Sequence, residues 1–295
     1  MTAFSFVTVD VFTDRRFGGN PLAVFPDARG MSDADMQSLA AEFNLSETTF
    51  VLPPEDPANT ARVRIFNRTS EMPFAGHPNV GTGYVLAREG RDKDGVLRFE
   101  EIAGLVEIKV ERDRAGAPTG ATIAAPQPLS FGLELPADAV AACAGIDAAD
   151  VLVRAHKPVM ASVGMPFIIA EVTGAALTQA APDLAKFRST ETAIPALKGR
   201  LALHLYAHDG ARIRARMFAP LSGTIEDPAT GSANAALGPL LLSLSRDDRA
   251  TYDIVQGVEM GRPSALRVTA RRASDGIRST VSGACVLVLK GEATV

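Results

Sequence analysis

The chain has 295 residues, 46% of them hydrophobic, a formal net charge of −4 and two cysteines, Cys143 and Cys285. That length favours two domains, and so mild an acidity gives no basis for nucleic acid or anionic lipid as a partner. Two distant cysteines outside any C-x-x-C pattern do not indicate structural disulfides and fit a reducing cytoplasm. Residues 1–10 lack the pattern of a secretory leader, and the longest apolar run, 235–244, is far short of the roughly 20 residues that a membrane span needs.

Residues 4–12 alternate Phe4, Phe6, Thr8 and Asp10 against Ser5, Val7, Val9 and Val11, which is the period of a strand. Phe17-Gly18-Gly19-Asn20-Pro21 turns the chain into a second strand over 22–25. Ser32 is the expected N-cap of a helix through Phe43, with Asp33 and Asp35 at the positive end of its dipole. Asn44-Leu45-Ser46-Glu47-Thr48-Thr49-Phe50 leads from that helix into a strand over 49–52. After a polar turn come a strand over 62–66, a helix over 79–88 stopped by Gly90, and a hairpin of 96–101 with 105–112. Residues 113–120, with Gly116, Pro118 and Gly120, read as a linker.

Beyond it, strands are expected over 122–125, 151–156, 159–163, 167–172, 201–207, 212–218, 252–255, 265–270 and 277–289. A helix starting with Pro136 is expected to Ala144, short helical pieces over 183–187 and 191–197, and a core helix over 232–243. Many strands with few helices predict an α+β fold rather than a doubly wound parallel sheet.

One pattern occurs twice. Ala61-Arg62-Val63-Arg64-Ile65-Phe66 leads to Gly76-His77-Pro78-Asn79, and Ala211-Arg212-Ile213-Arg214-Ala215-Arg216 leads to Gly231-Ser232-Ala233-Asn234. Each reads as a strand, a turn with Gly and Pro, and a small-residue helix. So long a period suits two pseudo-symmetric halves, each a curled, mostly antiparallel sheet around one central helix, with the working site between them. The Gly76-His77-Pro78 and Gly231-Ser232 turns sit at helix N-termini, where free N–H groups attract an anion such as a carboxylate. On either turn alone, the glycines would serve only a tight turn.

Glu47, flanked by Leu45 and Phe50 with hydroxyls between, is a candidate proton shuttle. His204 and His208 are four apart on a strand, about 3.3 Å per residue, hence roughly 13 Å apart and too far to share a metal ion. They read as surface or inter-strand residues. Ser232, His77 and Asp227 tempt a Ser-His-Asp hydrolase reading, but the G-x-S-x-G elbow is absent. So are the nucleotide and dinucleotide glycine motifs.

Six ordered stretches carry a resemblance: Asp10-Val11-Phe12-Thr13, Gly19-Asn20-Pro21-Leu22-Ala23-Val24-Phe25, residues 44–50, Pro73-Phe74-Ala75-Gly76-His77-Pro78, Glu226-Asp227-Pro228-Ala229-Thr230-Gly231-Ser232-Ala233, and Gln256-Gly257 followed by Met260-Gly261-Arg262-Pro263-Ser264. Together they resemble the phenazine-biosynthesis PhzF-like family of isomerases, whose fold is that of diaminopimelate epimerase. The resemblance implies a homodimer and a first half, 1–116, joined by a returning strand, 281–295, with 117–280 as the second half.

It implies Glu47 as catalytic acid/base, His77 and Asp227 as polar groups assisting proton movement, and Gly76, Gly231 and Ser232 as substrate-holding positions, with Ser46 added beside Glu47. It implies a hydrogen shift within a small unsaturated, carboxylate-bearing molecule, without metal or organic cofactor. Epimerases of the related fold use two cysteines; the aligned positions here are Gly81 and Thr230, so two-thiol inversion is not expected, and one Glu that takes and returns a proton suffices. The alternative is a small-molecule-binding protein that kept the fold without catalysis.

Overall fold

The structure, a computed structural model, describes residues 2–295. The chain divides into two units: residues up to Ala124 together with Ser282–Val295, and Ala125–Val281. The fold is mixed α+β. The elements of the first unit are β1 (Ala3–Val11), β2 (Asn20–Phe25), α1 (Asp33–Phe43), β3 (Thr48–Leu52), β4 (Ala61–Phe66), β5 (Glu71–Met72), α2 (Gly76–Arg88), β6 (Val96–Glu101), β7 (Gly104–Arg112) and β8 (Pro118–Ala124). The end of the last strand, Gly276–Thr294, also belongs to this unit and runs antiparallel to β1 from Val11↔Cys285 to Ala3↔Thr294.

Most neighbours are antiparallel; β2–β3 and β4–β6 are parallel. A parallel pair needs a crossover. α1 lies between the first pair in sequence, and α2 between the second. α1 is capped as expected, Ser32 Oγ accepting from the Asp35 amide. It buries Met36 and Ala40 in a cluster with Phe4, Phe25, Phe50 and Phe66. Phe25 stacks on Phe50 at 4.9 Å between ring centroids, a geometry that adds to the area buried.

α2 is buried from Gly76 through Ala87, packed against β1, β2, β3, β7 and β8. Only small residues let strands come so near: a Cβ at Gly81 would lie 2.6 Å from Leu22 Cδ2, and one at Gly83 2.7 Å from Ile108 Cγ2. α2 starts three residues before the expected Asn79, because Pro78 in its first turn forgoes an N–H that needs no helical partner. Residues 113–120 are not a linker. Residues 113–117 form the β7–β8 hairpin turn, where the Ala117 amide donates to the Asp113 carboxylate and Gly116 takes φ +84°, and Pro118 already opens β8. Gly and Pro mark a hairpin turn as readily as a linker.

The second unit contains β9 (Ser130–Glu134), α3 (Ala137–Ala144), β10 (Val151–Leu152), β11 (Val159–Ser162), β12 (Pro166–Val172), α4 (Gly174–Gln179), α5 (Leu184–Ala193), β13 (Leu203–Asp209), β14 (Arg212–Ala219), β15 (Thr224–Asp227), α6 (Gly231–Ser243), β16 (Arg249–Gln256), β17 (Ser264–Ala273) and the start of β18 (Gly276–Thr294). Here β12–β13 and β14–β16 are the parallel pairs, with α4 and α5 between the first in sequence and α6 between the second. α6 packs on β11, β12, β16 and β17 and buries nearly every residue from Gly231 to Leu242.

Candidate active site

In the first unit the chemistry gathers at the start of α2. Glu47 ends the turn that enters β3, and His77 is the second residue of α2. The His77 Nε2 atom lies 3.4 Å from Glu47 Oε2, with the His77 side chain 6% exposed and that of Glu47 16%. Asn20, the first residue of β2 and fully buried, places its Nδ2 3.4 Å from His77 Nδ1. With the amide donating there, Nδ1 is an acceptor and the ring proton sits on Nε2, facing Glu47; this tautomer is assigned from the bonding pattern. Burial holds the imidazole neutral, with its pKa lowered from 6.5 to about 3. Gly76 opens the helix, no side chain caps it, and Ser46 is half-buried beside Glu47.

The second unit has a different polar cluster at the start of α6, equally uncapped by any side chain. Asp227, buried at the end of β15, accepts from Thr230 Oγ1 at 2.5 Å. Gly231 is buried and Ser232 half-buried in the first turn. Sequence reasoning missed the surroundings of Asp227: Thr230 as a donor, Gln256, Asn234 and His204, all at most 7% exposed. His204 was expected at the surface or between strands. It is fully buried and bonded to Asn234, while His208 is exposed. β13 has side chains buried on both faces, so alternation could not tell inside from outside there.

The ring nitrogens of His77 face Asn20 and Glu47, and the Asp227 carboxylate accepts from Thr230. Gly81 is not at the helix end either: it lies in the second turn of α2 against Leu22 and Val11, with no room for a thiol. Cys143 lies in the core of the second unit and Cys285 is buried in the first; desolvation raises both pKa values. Among the described residues no three His, Cys, Asp or Glu side chains converge as metal ligands would.

A further carboxyl stands near the α2 terminus. The β6–β7 tip is tied to the segment before the helix through the Ala103 amide and the Pro73 carbonyl. There both Glu101 oxygens are shut off from solvent without a full hydrogen bond. Desolvation raises the Glu101 pKa from 4.5 to about 8, which the neighbouring Asn79 amide offsets only in part. The unfolded chain ionises Glu101 above pH 4.5, whereas the folded chain holds the proton to about 8. This group's contribution to stability is therefore present below pH 4.5 and lost as pH rises toward 8. Glu101→Gln is expected to stabilise the protein at pH 8.5 far more than at pH 4.5. Urea midpoints at the two values check this; an equal difference at both would refute it.

The phenazine biosynthesis-like protein profile matches residues 9–291. An uncharacterized isomerase of Mesorhizobium japonicum is 37% identical over 280 residues, 91% of each chain. The trans-2,3-dihydro-3-hydroxyanthranilate isomerase of Pseudomonas aeruginosa is 35% identical over 298 residues, 98% of each. A Bacillus anthracis phenazine biosynthesis protein of the PhzF family, with 24% identity, superposes with a TM-score of 0.88 over the whole of both chains.

Proposed function

The chain belongs to the phenazine biosynthesis-like protein family, and from that premise we propose that it is a cofactor-independent isomerase moving a proton within a small, unsaturated carboxylic acid. The observation that carries this reading is a carboxylate 3.4 Å from a neutral, buried imidazole at an uncapped helix end. Glu47 takes a proton from a carbon beside the unsaturated system, and the electrons of the broken C–H bond pass into the conjugated acid. Glu47 then returns the proton at another carbon, where a new C–H bond forms. No atom is gained or lost.

His77, neutral with its proton on Nε2, cannot compete as a base. It orients the Glu47 carboxylate by donating toward it. The N–H groups opening α2 are suited to the substrate carboxylate, with Ser46 and Gly76 beside Glu47 and His77. In the second unit the N–H groups opening α6, with Gly231 and Ser232, are the equivalent anion-holding candidates, and Asp227 is the candidate for assisting proton movement. The Arg-x-Phe and Gly-x-x-Asn patterns in each unit support reading them as two copies of one ancestral half. The burial of Cys143 and Cys285 supports a single carboxylate rather than a thiol pair.

Turnover in D₂O tests the reaction class, with trans-2,3-dihydro-3-hydroxyanthranilate as the first probe and a panel of small unsaturated acids after it. Solvent deuterium is expected in the product carbon; tight binding without exchange would favour a non-catalytic binder. His77→Asn, which keeps a donor, is expected to retain more exchange activity than His77→Ala. Equal activity of both with the native enzyme would remove His77 from the mechanism.

A further inference from the structure

Asp227 stands at one end of a line of buried side chains whose hydrogen bonds all run in one direction. Each amide is pinned by a backbone group that can act in only one way. Gln256 Nε2 donates to the Asp227 carbonyl at 2.7 Å, and its Oε1 accepts from the Thr230 amide at 3.2 Å. Asn234 Nδ2 donates to the Thr230 carbonyl at 3.0 Å, which leaves its Oδ1 to accept from His204 Nε2 at 3.1 Å.

With those orientations set, the rest follows. His204 donates to Asn234, Asn234 Nδ2 donates to Gln256 Oε1 at 2.7 Å, and Gln256 Nε2 donates to Thr230 Oγ1 at 3.0 Å. Thr230, its oxygen already an acceptor, turns its own proton to Asp227 Oδ2. The Thr230 hydroxyl therefore serves the carboxylate and does not cap α6. His204 Nδ1 is buried without a partner, and burial lowers the pKa of the ring to about 4, so the far end of the line carries a neutral ring. Hydrogen bonds aligned in this way polarise one another in a dry interior.

We propose that Thr230 is the positioning residue for Asp227, and that Gln256, Asn234 and His204 behind it hold this carboxylate ionised and in one orientation. The proposal deepens the reading above and rests on it only for the statement that Asp227 acts on substrate. Charged groups on the surrounding elements are Arg212, Arg214 and Arg216 on β14, Glu226 on β15, Arg249 and Asp253 on β16, and Glu259 and Arg262 between β16 and β17. Arg216 is bound to Glu226, Arg214 to Glu259, and Asp253 to Arg267.

The test is an NMR titration of the Asp227 side-chain carbon, assigned with Asp227→Asn. It needs no turnover, so it fails or succeeds independently of the proposed reaction. Thr230→Val is expected to move the Asp227 midpoint upward by about one unit or more. Thr230→Ser, which restores the hydroxyl, should stay within about 0.3 unit of the native value. His204→Phe, at the far end, should move the midpoint the same way by less. The Thr230→Val shift should persist when Arg262→Gln removes the cation carried after Gln256. An unmoved midpoint in Thr230→Val, or a Ser variant shifted as far as the Val variant, would overturn the proposal. If Thr230→Val does not fold, an unmoved midpoint in His204→Phe does so.

Discussion

Glu47→Gln is expected to lower turnover by about 10³-fold, within the range that a positioned acid/base contributes, and to leave the melting temperature close to native. The replacement matches the carboxylate in shape and keeps an oxygen facing Nε2 of His77, 3.4 Å away in the native protein. Substrate affinity should change little, because the proposed anion sites are backbone N–H groups of α2 and α6. What the variant loses is a group that can hold and return a proton. His77 cannot substitute: as a base its pKa of about 3 leaves it too weak near neutral pH. Deuterium incorporation from solvent, measured with the unfolding midpoint on the same preparation, separates lost chemistry from lost fold. A Gln variant with native exchange rates would refute the assignment.

Arg216→Ala is expected to destabilise the protein by about 3–5 kcal/mol. Its side chain is 7% exposed and its guanidinium meets a partner on every side. Nε and Nη2 donate to the two Glu226 oxygens at 2.8 Å, and Nη1 donates to the carbonyls of Leu177 at 2.9 Å and Ala180 at 2.7 Å, with a longer contact to Thr178 at 3.4 Å. The guanidinium also lies over the Phe218 ring at 4.9 Å. One planar cation thus ties β14 to β15 and to the end of α4. Truncation strands a carboxylate and several carbonyls at once, which costs more than the pair itself contributes. Arg216→Ala combined with Glu226→Ala should therefore recover part of the loss in urea unfolding, and a strictly additive double variant would contradict this.

The molecule supplies its own control. Arg64 forks onto Glu71 with both bonds at 2.7 Å and lies 5.0 Å from the Phe66 ring centroid. Its other carboxylate partner, Asp33, is 81% exposed, and among the described residues the Arg64 guanidinium bonds no backbone carbonyl, so Arg64→Ala should cost less.

These two clamps also show where the sequence was legible and where it was not. Alternation located β1, and a Ser followed by two acids located the start of α1, because both signals are local. The repeated pattern set Ala61-Arg62-Val63-Arg64 against Ala211-Arg212-Ile213-Arg214, two residues out of step with the similar contacts. Those contacts join Arg64, Phe66 and Glu71 in one unit and Arg216, Phe218 and Glu226 in the other. Alternation with period two is satisfied equally by a shift of two, so hydrophobic pattern alone cannot choose the register.

The site was legible in part. Glu47 stood out by its neighbours, and Asp227 through the resemblance. The polar line behind Asp227 did not stand out. Its members are 230, 234, 256 and 204 in the sequence, and no local period joins a turn, a helix and two strands. Asn20 stood in a turn and in one of the matching stretches, with nothing local to mark it as the neighbour of His77 Nδ1.

The last strand bears on the order in which the protein can form. Residues 125–281 make a unit continuous in sequence, whereas the other unit needs Ser282–Val295 beside β1. During synthesis, then, the later stretch can complete its own pairing first. The earlier one waits with an unfilled edge along β1 until residues 282–295 have left the ribosome, and such an edge is open to wrong partners in the interval. Pairing Ala3 with Thr294 closes a loop of nearly the whole length of these two units, and such long-range closures are slow.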